Sequence, residues 1–247
     1  MTDTPLQLAG DFATPTREDW EVEVLKVLNR RRPEGKELTI EQAMKRLRTV
    51  TVDQLTIEPL YTETSVPLGH PGVMPFTRGT MVKTSPMTGW DIRQLHEDPD
   101  AGFTRREILA DLERGASSVW LRTGSDAIAV DDLPTVLGSV QPDLAPISVS
   151  SAEDQVAAAK ALAAFWKGSG ASNARGNLGL DALALAARTG EAPDLSAQAE
   201  WVSATIAELP GVRALTVDVL PYDDAGASDV DQLAFAIATG VAYLRDL

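Results

Sequence analysis

From Trp90 onward, short apolar runs alternate with stretches of helical spacing, and this rhythm restricts the fold more than any other feature of the chain. Strands are predicted at residues 90–95, 118–122, 146–150, 177–180 and 213–220, the fourth carrying the weakest pattern. Helices are predicted between them. Thr104 with Glu107 has the capping-box spacing ahead of Ile108, Leu109 and Leu112, and Ser151 with Asp154 has it ahead of Val156, Ala159, Leu162 and Trp166. Helices over 195–208 and 228–245 complete the set. Strands alternating with helices imply a parallel sheet with right-handed crossovers. Two architectures fit five such units. An open doubly wound sheet needs nothing more, whereas an eight-stranded β/α barrel needs more chain than remains after residue 90.

Ahead of this region lie two further segments, which gives a predicted division into 1–55, 56–89 and 90–247. Residues 1–16 are polar and interrupted by Pro5 and Pro15. They bury too little to offset an ordering cost of about 1–2 kcal/mol per residue, and are expected to be disordered until a partner binds. Trp20, Val24, Leu25 and Leu28 recur at helical spacing, and Thr39 with Gln42 caps a second helix. Residues 56–89 are rich in Gly, Pro and Thr. Their apolar side chains Leu60, Tyr61, Val73, Met74 and Phe76 predict an ordered, packed segment rather than an idle loop.

Composition narrows the function. Twenty-two basic against 36 acidic residues give a net charge of −14, which disfavours nucleic acid and anionic membranes as partners. The charge is unevenly placed, with eight basic and three acidic residues over 24–50 and ten acidic and two basic over 191–247. The chain has no cysteine, so disulfides, thiolate metal sites and cysteine nucleophiles are excluded. Neither a signal-like N-terminus nor an apolar run of about 18 residues is present, and a cytoplasmic protein is expected.

No GxGxxG, Walker loop, GxSxG elbow or HExxH pattern occurs. The two histidines, His70 and His96, have no orienting partner in sequence and are read as surface or turn residues. Neither completes the Asp-x-His-x-x-Gly pattern of cobalamin modules, because Leu68 and Gln94 stand where the aspartate is required. Asp223 and Asp224 follow the fifth predicted strand, where α/β folds place reacting groups, yet they also suit the start of a helix, which favours acids. Arg78, Lys83 and Arg93 are candidates for holding phosphates, and surface ion pairs account for the same charges equally well.

Three runs, in order, carry a resemblance. Pro59-Leu60-Tyr61-Thr62, Pro71 to Gly79 and Gly89 to Gln94 form the first; Asp111 to Arg122 the second; Tyr222 to Ala227 with Leu233-Ala234 and Gly240 to Leu244 the third. Together they resemble the methylmalonyl-CoA mutase family over roughly residues 17–247. The resemblance implies a partial (β/α)8 barrel, about five of eight units, behind a helical N-terminal arm. It also implies three further strands and a cobalamin-like domain in a full small subunit.

Ser85 and Asp223 occupy positions at which catalytic members carry their tyrosine and histidine. A serine has no phenol ring to shield a radical, and an aspartate anion cannot donate to a thioester carbonyl. The resemblance therefore implies a non-catalytic small subunit, or a fragment of one, that binds and stabilises a catalytic large subunit as a heterodimer. Methylmalonyl-CoA and succinyl-CoA would be interconverted there, adenosylcobalamin would be held by the large subunit, and Thr77, Arg78, Lys83 and Arg93 would be vestigial substrate contacts. No metal is expected on this chain. The alternative is a small acyl-CoA-binding α/β protein. Five units leave both sheet edges open and are expected to bare Val119, Leu121, Ile147 and Val217 on the inner face, so that the chain alone self-associates, aggregates or relaxes to an open sheet.

Overall fold

The computed structural model describes residues 10, 12–13, 15–62, 69–79, 90–193 and 195–246, and the chain divides into two compact units, residues 1–82 and 83–247.

In the first unit, helix α1 (Arg17–Asn29) opens on a capping box in which Asp19 N donates to Thr16 Oγ1 and Thr16 N to the Asp19 carboxylate. Thr16 thus belongs to the helix cap, while most of the preceding arm lies outside the described residues. Helix α2 (Ile40–Leu47) has the predicted box from Thr39 and Gln42 and buries Ala43 and Met44. Asn29 joins the two helices, accepting from Leu38 N at 2.8 Å and donating to Leu38 O at 3.1 Å. A hairpin absent from the sequence reading follows, β1 (Thr49–Val50) against β2 (Thr56–Ile57), braced by Arg48 Nε on Glu58 Oε1 at 2.7 Å. Residues 69–79 form successive turns, and of the apolar residues expected to pack the segment Tyr61, Val73, Met74 and Phe76 are exposed while Leu60 is half-buried.

The second unit runs β3 (Arg93–His96), α3 (Ala101–Glu113), β4 (Ser118–Thr123), α4 (Leu133–Val136), β5 (Ile147–Ser151), α5 (Gln155–Ser169), β6 (Gly176–Leu180), α6 (Ala182–Thr189), α7 (Leu195–Glu208), β7 (Val212–Leu215), α8 (Leu220–Asp224) and α9 (Asp229–Asp246). Its five strands are parallel and stand in chain order, β3-β4-β5-β6-β7. A doubly wound sheet reverses direction at a switch point, and here the order never reverses. Right-handed crossovers that all step the same way put their helices on one face, which is the topology of an arc of a β/α barrel. No closed barrel forms among the described residues.

Helix starts differ from the expected ones at two places. Asp100, not Thr104, caps α3 by accepting from Phe103 N at 2.8 Å. Thr104 is buried one turn further on and donates to Asp98 O. Asp154 caps α5, and Ser151 instead accepts from the amides of Glu153 and Asp154 in the turn before it. An aspartate one turn upstream starts the helix earlier, which places Thr104 inside its first turns rather than at a cap.

The core lies between the sheet and its helices: Val119 and Leu121 of β4, Ile147 and Val149 of β5, Leu178 and Leu180 of β6, against Ile108, Ala159, Leu162, Trp166 and Val202. Val119, Leu121 and Ile147 therefore face the helices and are fully buried, contrary to the inner-face expectation, while Val217 is exposed. Strand parity is set by which side the helices cover, and a run apolar on both faces does not reveal it. The weak strand signal at 177–180 also has a cause. A Cβ on Gly176 would fall 1.7 Å from Ile147 O, and on Gly179 2.1 Å from Val149 O, so β6 approaches β5 too closely for side chains at these positions.

Candidate functional site

The residues of opposite parity, Arg93, Leu95, Trp120, Arg122, Ser148, Ser150, Asn177 and Gly179, line a cleft of about 890 Å³ on the concave face of the sheet. Pairing register places Leu95, Trp120, Ser148 and Asn177 in one row across four strands. Trp120 Nε1 donates to Ser150 Oγ at 2.9 Å, and Asn177 Nδ2 to Thr216 Oγ1 at 2.8 Å. Ser148 Oγ, buried in the floor, has no hydrogen-bond partner.

Each arginine in the cleft is already held by a carboxylate. Arg93 Nη2 lies 3.1 Å from Asp91, with its Nε donating to Ser118 Oγ. Arg122 reaches Glu97 at 2.6 Å and Asp126 at 2.9 Å, and Arg188 reaches Asp218 at 3.4 Å. The hydrogen bonds to Glu97 and then Asp126 push the Arg122 guanidinium up, and the bond from Arg122 holds the Asp126 carboxyl below its ordinary range. Hydroxyl and amide bonds from Ser125 do the same for Glu153. Paired guanidinia offer a phosphate little that their present partners do not already take.

At the carboxyl end of β6, Asp181 is fully buried and gathers several elements around one carboxylate. Tyr243 Oη of α9 donates to its Oδ1, as does Ala184 N at 3.0 Å, and Asp218 N donates to its Oδ2 at 2.6 Å. Tyr243 in turn accepts from Leu183 N, and Gln155 and Gln198 accept from the amides of Asp181 and Ala182. Burial, then the bond to Asp181, pushes the Tyr243 phenol well above its ordinary range, so it stays a donor. The network fixes the rim of the cleft to α5, α6, α7 and α9.

The residues singled out from sequence fare unevenly. Arg93 lines the cleft. Thr77 and Arg78 belong to the turns of the first unit, and Lys83 and Ser85 lie outside the described residues. The fifth strand stops at Leu215, five residues short of the predicted end, because Pro221 opens a helical turn. Asp223 is consequently exposed on α8, accepts from Gln232 Nε2 at 2.8 Å and does not line the cleft. His70 is exposed. His96 is not a surface residue: it is buried on the helix side of β3, its Nε2 3.5 Å from Asp111, and burial lowers its pKa despite Asp111 and Glu107. Among the described residues no cluster of His, Cys, Asp and Glu is placed to hold a metal, and no helix is long and apolar enough to cross a membrane. Trp120, Arg122, Asp181 and Tyr243 were not anticipated. The signal for Asp181 was its place directly after an apolar strand, which capping alone also explains.

A parallel sheet in chain order, helices on one side and a polar cleft on the other, defines a protein of the β/α-barrel type. The family model described as Methylmalonyl-CoA mutase matches residues 122–247, and the chain belongs to that family. It is 48% identical over 251 residues to the methylmalonyl-CoA mutase small subunit of Propionibacterium freudenreichii subsp. shermanii, covering 100% of this chain and 39% of the relative. It is 38% identical over 252 residues to that of Streptomyces virginiae, covering 100% of this chain and 40% of the relative. The chain thus spans about two fifths of the length of these relatives.

Proposed function

We propose that the chain is the non-catalytic small subunit, or part of it, of an adenosylcobalamin-dependent methylmalonyl-CoA mutase. Its role is to bind and stabilise the large subunit that interconverts methylmalonyl-CoA and succinyl-CoA. The observation that carries this reading is identity along the whole chain with relatives named small subunit. The chemistry of the chain agrees with it. Asp223, at the position resembling the family's histidine, is an exposed acceptor already bonded to Gln232, and an anion cannot polarise a thioester carbonyl by donation. Among the described residues the cleft lining holds hydroxyls and paired ions but no imidazole.

Neither histidine suits cobalt ligation. His96 is enclosed between β3 and α3 beside Asp111, and both histidines lack the aspartate two residues earlier. Adenosylcobalamin would supply the radical chemistry of the assembled enzyme, and we assign it to the large subunit.

The purified chain, given methylmalonyl-CoA and adenosylcobalamin, should form no succinyl-CoA, and should co-elute with a mutase large subunit on size exclusion. Turnover by the chain alone would overturn the reading. Micromolar CoA binding without large-subunit binding would replace it with the acyl-CoA-binding alternative.

A further inference from the structure

The cleft on the concave face of the sheet is charged, yet its charges cancel. Its described lining holds three arginines, Arg93, Arg122 and Arg188, and three carboxylates, Glu97, Asp181 and Asp218. Each guanidinium already lies within 3.4 Å of a carboxylate oxygen. An anion would have to displace one of those partners, and an apolar ligand would strip water from the pairs without replacing its hydrogen bonds. What the lining favours is an uncharged, polar molecule.

Hydroxyls occupy the space between the ion pairs. Ser150 Oγ accepts from Trp120 and Thr216 Oγ1 from Asn177, and each keeps its own proton to donate. Ser148 is 6% exposed and stands in the row that turns into the cleft, but its Oγ has no partner. A buried hydroxyl is a cost to the fold unless something completes its bond. Trp120 is in register with Ser148 and reaches Ser150, two residues further along β5, so its indole passes beside Ser148. The ring is 40% exposed, and only the one bond that its Nε1–H can make fastens it to Ser150. Turning it off Ser150 opens a way to Ser148.

We propose that this cleft binds an uncharged sugar of one or two rings. The C–H face of the sugar packs on the indole of Trp120, whose π face is negative. Vicinal hydroxyls, each a donor and an acceptor, match the donors and acceptors set side by side in the Arg122–Glu97 and Arg188–Asp218 pairs, and one of them completes the bond of Ser148 as the indole turns. At about 890 Å³ the cleft is of ligand-site size, which runs from about 300 to 1,000 Å³. The inference goes beyond the proposed subunit role and does not depend on it.

Equilibrium dialysis of the purified chain against radiolabelled glucose, maltose, glucose phosphate and CoA tests the assignment. Saturable binding of glucose or maltose is expected, with glucose phosphate and CoA weaker by about tenfold or more because their phosphates find no free cation. Trp120→Ala should weaken sugar binding by about tenfold or more, whereas Trp120→Phe, which keeps a ring face, should weaken it by less than about threefold. Ser148→Ala should weaken it by about three- to tenfold, with the indole resonance of the buried Trp166 unchanged to show that the fold is intact. Leu244→Ala, exposed on α9 and outside the cleft lining, should bind as the parent does. Absence of binding by both sugars would overturn the proposal, as would sugar binding that Trp120→Ala or Ser148→Ala leaves unchanged. Glucose phosphate binding as tightly as glucose would overturn it too. CoA binding without sugar binding would overturn it in favour of the acyl-CoA-binding alternative, and loss of large-subunit binding alone would count against the subunit role and not against this site.

Discussion

The same strands of the five-stranded sheet serve two different faces, and residue parity alone separates them. On the convex side Val119, Leu121, Ile147 and Leu178 are fully buried against helices. One residue along, Trp120, Arg122, Ser148 and Asn177 line a cleft, where Trp120 donates to Ser150, Arg122 pairs with Glu97 and Asn177 donates to Thr216. The convex face gains free energy from burial, each fully buried large side chain being worth about 1.5–3 kcal/mol. The concave face gains little, since partly solvated ion pairs contribute at most about 1 kcal/mol each. Stability and surface chemistry are thus carried by alternate residues, and substitutions on the two faces should differ accordingly.

The largest contrast is expected on the convex side. Trp166→Ala should lower unfolding free energy by about 3–5 kcal/mol, and Leu121→Ala by about 2–5 kcal/mol, measured by urea titration with circular dichroism. Trp166→Phe should cost much less than the alanine variant, because Trp166 Nε1 is buried without a partner and its removal relieves that loss. If both Trp166 variants lost equal stability, burial would not be what the convex face contributes.

An intermediate effect is expected where the faces meet. Tyr243→Phe removes a donor from the buried Asp181 carboxylate and should cost about 1–3 kcal/mol, with faster amide exchange along α9. Unchanged exchange there would show that α9 is held by other contacts.

On the concave side Ser148→Ala should leave stability within about 0.5 kcal/mol of the parent, since its hydroxyl already lacks a partner. A clear loss in the same urea titration would reveal a bond to this hydroxyl.

The smallest expected effect depends on pH. Burial lowers the pKa of His96 in the folded chain, so below the ordinary value of 6.5 the unfolded chain binds the extra proton first. The contribution of His96 is complete above that value and is lost as pH falls through it. His96→Gln should flatten the dependence of the urea midpoint between about pH 7.5 and pH 5. An unaltered slope would assign that dependence to other groups.

Much of the fold was legible in the sequence because parallel strands and crossover helices write strong periodic patterns. All five strand segments overlap those expected, and both long C-terminal helices fall where spacing placed them. The inner and outer faces were not legible: Val119-Trp120-Leu121 is apolar at every position, and only the helices covering one side decide which residues turn inward. The site was less legible still. Asp181 and Tyr243 are 62 residues apart and meet only through the fold, and Arg122 finds Glu97 25 positions back. Asp223 was misplaced because the apolar run 213–220 reads as one strand, whereas its second half leads into a proline-opened helical turn.

The unreversed order of the strands bears on how the chain is made. Each new strand adds beside its immediate predecessor, so every pairing in the sheet joins residues only about 25 to 36 positions apart, and none waits for a distant segment. A nascent chain of this design can lay down its sheet in step with translation. At every moment the only strand awaiting a neighbour on the growing side is the newest one, which keeps that edge next to the ribosome exit while the sheet is being laid down.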